Sequence, residues 1–276
     1  MAELKIYEKY EKLNKIGEGC WSKVYKAQNR ATKEFVAIKE VSLLEINNKN
    51  AKTELETEIK VMKIFNYCPN SVKLYETFED NDYIYLVMEL CDGDLTKYLN
   101  KSKNGFNIPE IRIIMKQLNN IVYEMRKKDM THNDLKIENI LIKFKENSKE
   151  FEVKLSDYFL SLLISTTKDL TNNEWGIKPY NEGTKEEIEN LIKVDLLMIG
   201  NNIYTLLFDE IYKSFDDMKE DIDEYIDDKD LKDLLNKLLV EDSRKRIGWE
   251  EYFKHKFFNI DKFEYDKVVN IVKNNN

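Results

Sequence analysis

The chain has 276 residues with 44 Lys and Arg against 52 Asp and Glu, a net charge of −8; at roughly 150 residues per domain this means one large domain or two lobes. Three cysteines, Cys20, Cys68 and Cys91, form no C-x-x-C pair, and an odd count argues against a secreted disulfide framework and points to the cytoplasm. The stretch Asp209 to Asp230 holds eleven acids against three lysines and so carries the whole excess; the balanced remainder argues against nucleic-acid binding, which wants a basic face.

Residues 1–10 (MAELKIYEKY) alternate charged with apolar residues and are not expected to be a signal peptide. No 18-residue apolar run is present, so no membrane span or membrane association is expected. Leu13 to Ile16 and Lys23 to Ala27 alternate as a half-buried hairpin does, and Phe35 to Lys39 is a β-branched run. Ala51 to Phe65 switches to helical period, with Leu55, Met62 and Phe65 on one face; strands follow near Val72 to Phe78 and Tyr83 to Met88. Beyond Pro109, which suits a first helical turn, the pattern is mostly helical. Apolar stripes mark helices after Pro109, near Val194 to Phe208 and near Asp230 to Val240. A strand-rich part followed by a helical part means an α+β fold in two lobes, joined near Glu89 to Asp92. Residues 1–91 form the first lobe, 92–260 the second and 261–276 a tail. The acidic stretch is expected to be solvated surface; docking of basic partners is the minority reading.

Four groups carry chemistry. Gly17-Glu18-Gly19-Cys20-Trp21-Ser22-Lys23-Val24 lies at a strand–turn–strand junction, where glycines let backbone N–H groups approach phosphate oxygens. Alone, such a pair is more often just a tight turn. Lys39 ends an apolar strand, and Glu58 shares a helical face with Leu55 and Met62. A carboxylate aimed inward needs a cation, and Lys39 is its expected partner, whereas Glu56 can pair with Lys60 on the solvent side. Thr131 to Asn139 (THNDLKIEN) places polar groups between apolar stretches, and the strand Val153 to Ser156 then delivers Asp157. Two acids and an amide are what phosphoryl transfer needs: one acid positions the attacking hydroxyl, and the other holds Mg²⁺ with the amide.

This ordered set resembles the eukaryotic protein kinase family, from Tyr10 to Phe258. The glycine loop, Val36-Ala37-Ile38-Lys39, the helix glutamate, His132-Asn133-Asp134-Leu135-Lys136-x-x-Asn139 and Asp157-Tyr158-Phe159 occur in the family's order. Asp195 to Gly200 is similar to its D-x-W-x-x-G segment, and Arg246 to its late structural arginine. The resemblance implies a serine/threonine kinase that uses ATP and Mg²⁺ on a protein substrate, with Lys136 favouring that class over the tyrosine kinases. It makes Asp134 the catalytic base and Lys136 the neutraliser of the transferring phosphoryl group. It places Lys39, paired with Glu58, on the phosphates, and Asn139 and Asp157 on the metal. Ile16, Gly17, Gly19, Val24, Ala37 and Leu141 would line the nucleotide. Glu89 and Cys91 would offer backbone to adenine behind Met88, and Asp94 would reach the ribose. A monomer is expected. His132 reads as a satisfied structural residue, and His255 does too.

Several positions depart from the family's pattern. Ser22 replaces a glycine, Asn133 the arginine before the base, and Tyr158-Phe159 the usual Phe-Gly. Lys178-Pro179-Tyr180 stands for Ala-Pro-Glu, so Arg246 lacks its acid unless Glu182 serves. Ser165, Thr166, Thr167 and Thr171 are candidate phosphosites. The alternative reading is a pseudokinase, a nucleotide-binding scaffold; it has no need to keep Lys39, Glu58, Asp134, Asn139 and Asp157 together.

Overall fold

The computed structural model describes residues 3–46, 49–100, 105–145, 150–164, 175–180, 182–210 and 213–259. The candidate phosphosites and the tail from 261 lie outside them.

The first lobe is built on a five-stranded antiparallel sheet. Its strands are β1 (Tyr10–Glu18), β2 (Ser22–Asn29), β3 (Phe35–Ser42), β4 (Leu74–Glu79) and β5 (Tyr83–Glu89), in the order β1-β2-β3-β5-β4. Register decides which face each side chain takes, because alternate residues point to opposite faces. Val24 stands opposite Lys39, and Lys39 opposite Leu86; Ala37 stands opposite Met88. These residues therefore share one face. On the other face Val36, Ile38, Tyr85 and Val87 are buried together with Ala27, Tyr10 and Ile6. Ile6 comes from a helix the alternation did not predict, α1 (Glu3–Lys9). It is too short to show a helical stripe, and it forms because the sheet offers it an apolar surface.

Helix α2 (Lys49–Ile64) covers the sheet; Leu55, Met62 and, just past its end, Phe65 are fully buried as the spacing predicts, and Val61 is buried with them. The second lobe opens with β6 (Gly93–Asp94), α3 (Leu95–Leu99) and the long α4 (Ile108–Lys127). Asn107 and Glu110 close a capping box on α4, with Pro109 in its first turn. β7 (Met130–Thr131) pairs with β10 (Leu162–Leu163), and β8 (Ile140–Phe144) lies between β6 and β9 (Phe151–Leu155). Four further helices follow: α5 (Lys185–Phe208), α6 (Phe215–Tyr225), α7 (Lys229–Leu238) and α8 (Trp249–Phe253). Within the acidic stretch α6 turns Met218 and Ile222 inward, so that stretch is partly an amphipathic helix.

One helix, α5, is long and apolar enough to cross a bilayer by length and composition, which corrects the expectation that no such segment exists. Its Leu196, Ile199, Ile203 and Leu206 are fully buried in the protein core, and its Asp195 is buried too. That is the pattern of a core helix, hydrophobic on most sides because protein surrounds it.

Candidate active site

Lys39 lies within β3, on the face it shares with Val24 and Leu86. Its Nζ donates to Glu58 Oε1 at 2.7 Å and to Asp157 Oδ1 at 3.0 Å. Glu58 is 1% exposed, so the pairing inferred from its helical face is realised, and a third residue joins it. Burial alone would lower the Lys39 ammonium, but Glu58 and Asp157 outweigh that and hold it above its usual range. Burial would likewise raise the Asp157 carboxyl; the Lys39 charge and hydrogen bond bring it below the ordinary carboxylate value. Both groups are therefore held charged.

A second cluster lies on the loop after β7. Asn139 Nδ2 donates to Asp134 Oδ2 at 2.8 Å and to its carbonyl at 2.9 Å, and Lys136 Nζ is 2.9 Å from the same Oδ2. Ser156, immediately before Asp157, joins the clusters: its N–H and Oγ both donate to Asn139 O at 3.0 Å. The His132 imidazole completes the link. The Asp134 N–H donates to His132 Nδ1 at 3.3 Å, so Nδ1 carries the lone pair and Nε2–H donates to Ser156 O at 3.1 Å. Burial lowers the imidazole, so the neutral form is the one held. His132 is thus structural, as the sequence reading has it.

Asp195 supports the same loop from below, accepting from the N–H groups of His132 at 2.7 Å and Asn133 at 2.8 Å. Asn133 and Asp157 both have positive φ, 63° and 61°, a region that Asn and Asp enter at lower cost than most residues. Asn133 Nδ2 reaches Leu160 O at 3.1 Å, tying the loop to the segment after Asp157 by an uncharged contact. Tyr158 is fully buried with its hydroxyl 2.7 Å from Ser71 Oγ. Phe159 packs on Trp21 of the glycine loop, ring centroids 5.5 Å apart. Sequence reasoning missed Ser71 and Trp21, because neither contact is local.

The remaining expected site residues are placed as follows. The Gly19 N–H closes the loop turn onto Ser22 O at 2.8 Å, but neither Gly17 nor Gly19 has positive φ; what they supply is lack of bulk. Gly17 and Val24 are cross-strand partners, Ala37 is buried, Leu141 is half-buried and Ile16 is exposed. The Glu89 N–H donates to Lys73 O, which leaves its carbonyl as the one backbone group it can offer a ligand. The Glu89 carboxylate is spent on Lys143 at 2.6 Å. Burial pushes the Cys91 thiol up to about 12, so it stays protonated. Asp94, expected at the ribose, caps α3 by accepting from Lys97 N–H at 2.8 Å.

Glu182 does not serve Arg246. It is exposed beside Lys178, while the buried Arg246 guanidinium donates to the carbonyls of Val240, Lys193 and Glu241. Backbone dipoles replace the missing carboxylate.

A protein kinase domain family pattern matches residues 10–258. The chain is 30% identical over 263 residues to serine/threonine-protein kinase atg1 of Dictyostelium discoideum, covering 89% of this chain and 38% of that protein. It is 31% identical over 269 residues to calcium-dependent protein kinase 4 of Plasmodium falciparum (91% and 49%). It is also 31% identical over 268 residues to myosin light chain kinase A of D. discoideum (91% and 87%). The chain therefore spans half or less of the length of the first two.

Proposed function

The chain belongs to the protein kinase family, and we propose that it is an active serine/threonine kinase transferring the γ-phosphate of ATP to a protein hydroxyl. The observation that carries this is Lys39 Nζ shared between Glu58 and Asp157 at 2.7 and 3.0 Å. That arrangement brings a cation from the first lobe and a carboxylate from the second into direct contact.

ATP and Mg²⁺ fit the residues present. Asn139 spends its Nδ2 on Asp134, so the polar atom left to it is the carbonyl oxygen Oδ1. Together with an Asp157 carboxylate held ionised, this is a hard oxygen pair, which magnesium takes when phosphates and waters complete its shell. The metal supplies charge neutralisation on the phosphates. Lys39 holds the α- and β-phosphates, kept in place by the buried Glu58. Asp134 accepts the proton of the substrate hydroxyl at Oδ1, the carboxylate oxygen that Asn139 and Lys136 do not engage, while their contacts with Oδ2 orient the group. Lys136, beside that carboxylate, offsets the negative charge that develops on the phosphoryl oxygens. Burial would lower the Lys136 ammonium; Asp134 outweighs it and raises it, so this charge persists at neutral pH. Met88 and the Glu89 and Cys91 backbone would border the adenine, with Ile16, Val24, Ala37 and Leu141 on its faces. The free cysteines support a cytoplasmic enzyme, and the acidic stretch 209–230 supports a preference for basic protein substrates.

The test is transfer of labelled γ-phosphate from ATP to a generic basic protein, followed by phosphoamino-acid analysis. Asp134→Asn should lower turnover by orders of magnitude and leave nucleotide binding nearly intact, because it removes the base and none of the phosphate ligands. Undiminished turnover in that variant would remove Asp134 from the mechanism.

A further inference from the structure

We propose that Lys60 is a positioning residue: its bond to the Gly176 carbonyl holds α2, and with it Glu58, in the arrangement that pairs Lys39. This rests on the kinase reading above and adds the device that keeps the helix in place.

The helical spacing assigned Lys60 to Glu56. Instead its Nζ donates to Gly176 O at 2.7 Å, across 116 residues of sequence. The limb that carries Gly176 is itself anchored. Trp175 packs against the core with Lys128 Nζ 5.1 Å from its ring centre. Ile177 is 4% exposed, and Tyr180 N–H donates to Leu163 O at 2.7 Å beside β10. Gly176 has a φ of 61°, a conformation that costs glycine nothing and turns its carbonyl without strain. The tether thus runs from a fixed strand-like limb in the second lobe to α2 in the first.

Lys60 lies two residues beyond Glu58, about 200° around the helix. The Glu58 side of α2 is held by the Lys39 pair and by apolar packing. Lys60 holds the opposite side, so rotation or outward drift of α2 is resisted from both. The acceptor is a backbone carbonyl, which needs no added charge. At the start of the same segment Asn133 Nδ2 on Leu160 O has the same character. Neither contact depends on a phosphate.

The test compares Lys60→Met, which keeps the stem and loses the donor, with Lys60→Arg, which restores a donor, and with Lys63→Met as a control for charge on the same helix. Amide exchange across residues 55–62 is measured on the nucleotide-free chain, and kcat and KM for ATP are measured in parallel. In Lys60→Met, exchange of α2 should quicken about tenfold, the scale of one hydrogen bond to a charged group. Its kcat should fall by a similar factor, with KM for ATP rising less. Lys60→Arg should stay within about twofold of wild type in both, and Lys63→Met should match wild type. Unchanged α2 exchange in Lys60→Met overturns the proposal, whether or not kcat falls, and so does an equal loss in Lys60→Arg. If no variant and no wild-type sample transfers phosphate, the kinase reading fails while exchange still decides the role of Lys60.

Discussion

His132 shows how a single buried side chain couples the site to pH. Its neutral tautomer is fixed by one donor and one acceptor, Asp134 N–H and Ser156 O. Protonation of Nδ1 would set an N–H against an N–H. Burial lowers the folded-state value below the usual ~6.5 of an unfolded histidine. As pH falls below about 6.5, the unfolded chain therefore binds the proton first, and stability present at neutral pH is lost. The limiting slope for one such proton is about 1.4 kcal/mol per pH unit. Thermal melts should show Tm falling between pH 6.5 and 5. His132→Gln should start less stable at pH 7.5 and show a shallower fall; an equally steep fall in that variant would clear His132 of the effect. Phe159 is the second case. Glycine at this position normally gives access to positive φ, but here the positive φ lies at Asp157 and Phe159 instead stacks on Trp21. Phe159→Gly removes an aromatic contact of about 0.5–1.5 kcal/mol and adds backbone freedom of about 0.5–1 kcal/mol. Activity should stay equal or fall, with a higher KM for ATP. A large rise in kcat would mean that Phe159 holds an inactive arrangement.

Among the elements, α5 has the most demanding task, because it must pass close to α7 while presenting Asp195 to the catalytic loop. Gly200 makes that approach feasible. A Cβ there would stand 2.9 Å from Leu238 Cβ and 2.9 Å from Leu239 Cδ2, inside any normal contact. Alanine would improve helix propensity by about 0.8–1 kcal/mol, whereas overpacking costs about 1–3 kcal/mol, so the clash wins. Gly200→Ala should lower Tm by a few degrees, and because α5 carries Asp195, it should reduce kcat as well. A Tm at or above wild type would show that α5 and α7 part without penalty. Thr184 and Glu187 close a capping box on α5 as Asn107 and Glu110 do on α4; the expectation of a helix near Val194 to Phe208 followed the apolar residues and missed this earlier start. Such signals are local in sequence and survive any tertiary setting. The short α1 carries no comparable signal, since seven residues do not form a stable helix in water and packing on the sheet decides it.

For the whole molecule, the segment after Asp157 is held at both described ends through backbone carbonyls, Leu160 O by Asn133 and Gly176 O by Lys60, with no phosphate in either contact. Asn133 has no positive charge with which to grip a phosphate in a bidentate pair. Phosphatase treatment should therefore leave activity largely unchanged, and so should replacing Ser165, Thr166, Thr167 and Thr171 together by alanine. A tenfold loss in a kinase assay after either step would show that another cation holds a phosphorylated segment.

The sequence by itself determined the two-lobed plan, since strand and helix periods differ along the chain and register follows from alternation. It also determined that Glu58 needs a cation, because a carboxylate on an apolar helix face cannot be left unpaired. The order of lysine, glutamate, aspartate, asparagine and aspartate carried the chemistry. Only the tertiary structure decided which partner each side chain takes when several are in reach. Lys60 leaves the i−4 acid for a carbonyl in the other lobe, and Arg246 donates to the Lys193 carbonyl in place of an acid. The reason is physical. Burial and backbone periodicity act over a few residues and leave a pattern in the sequence. Hydrogen bonds between residues far apart in sequence depend on where rigid elements come to rest, and no local pattern records that.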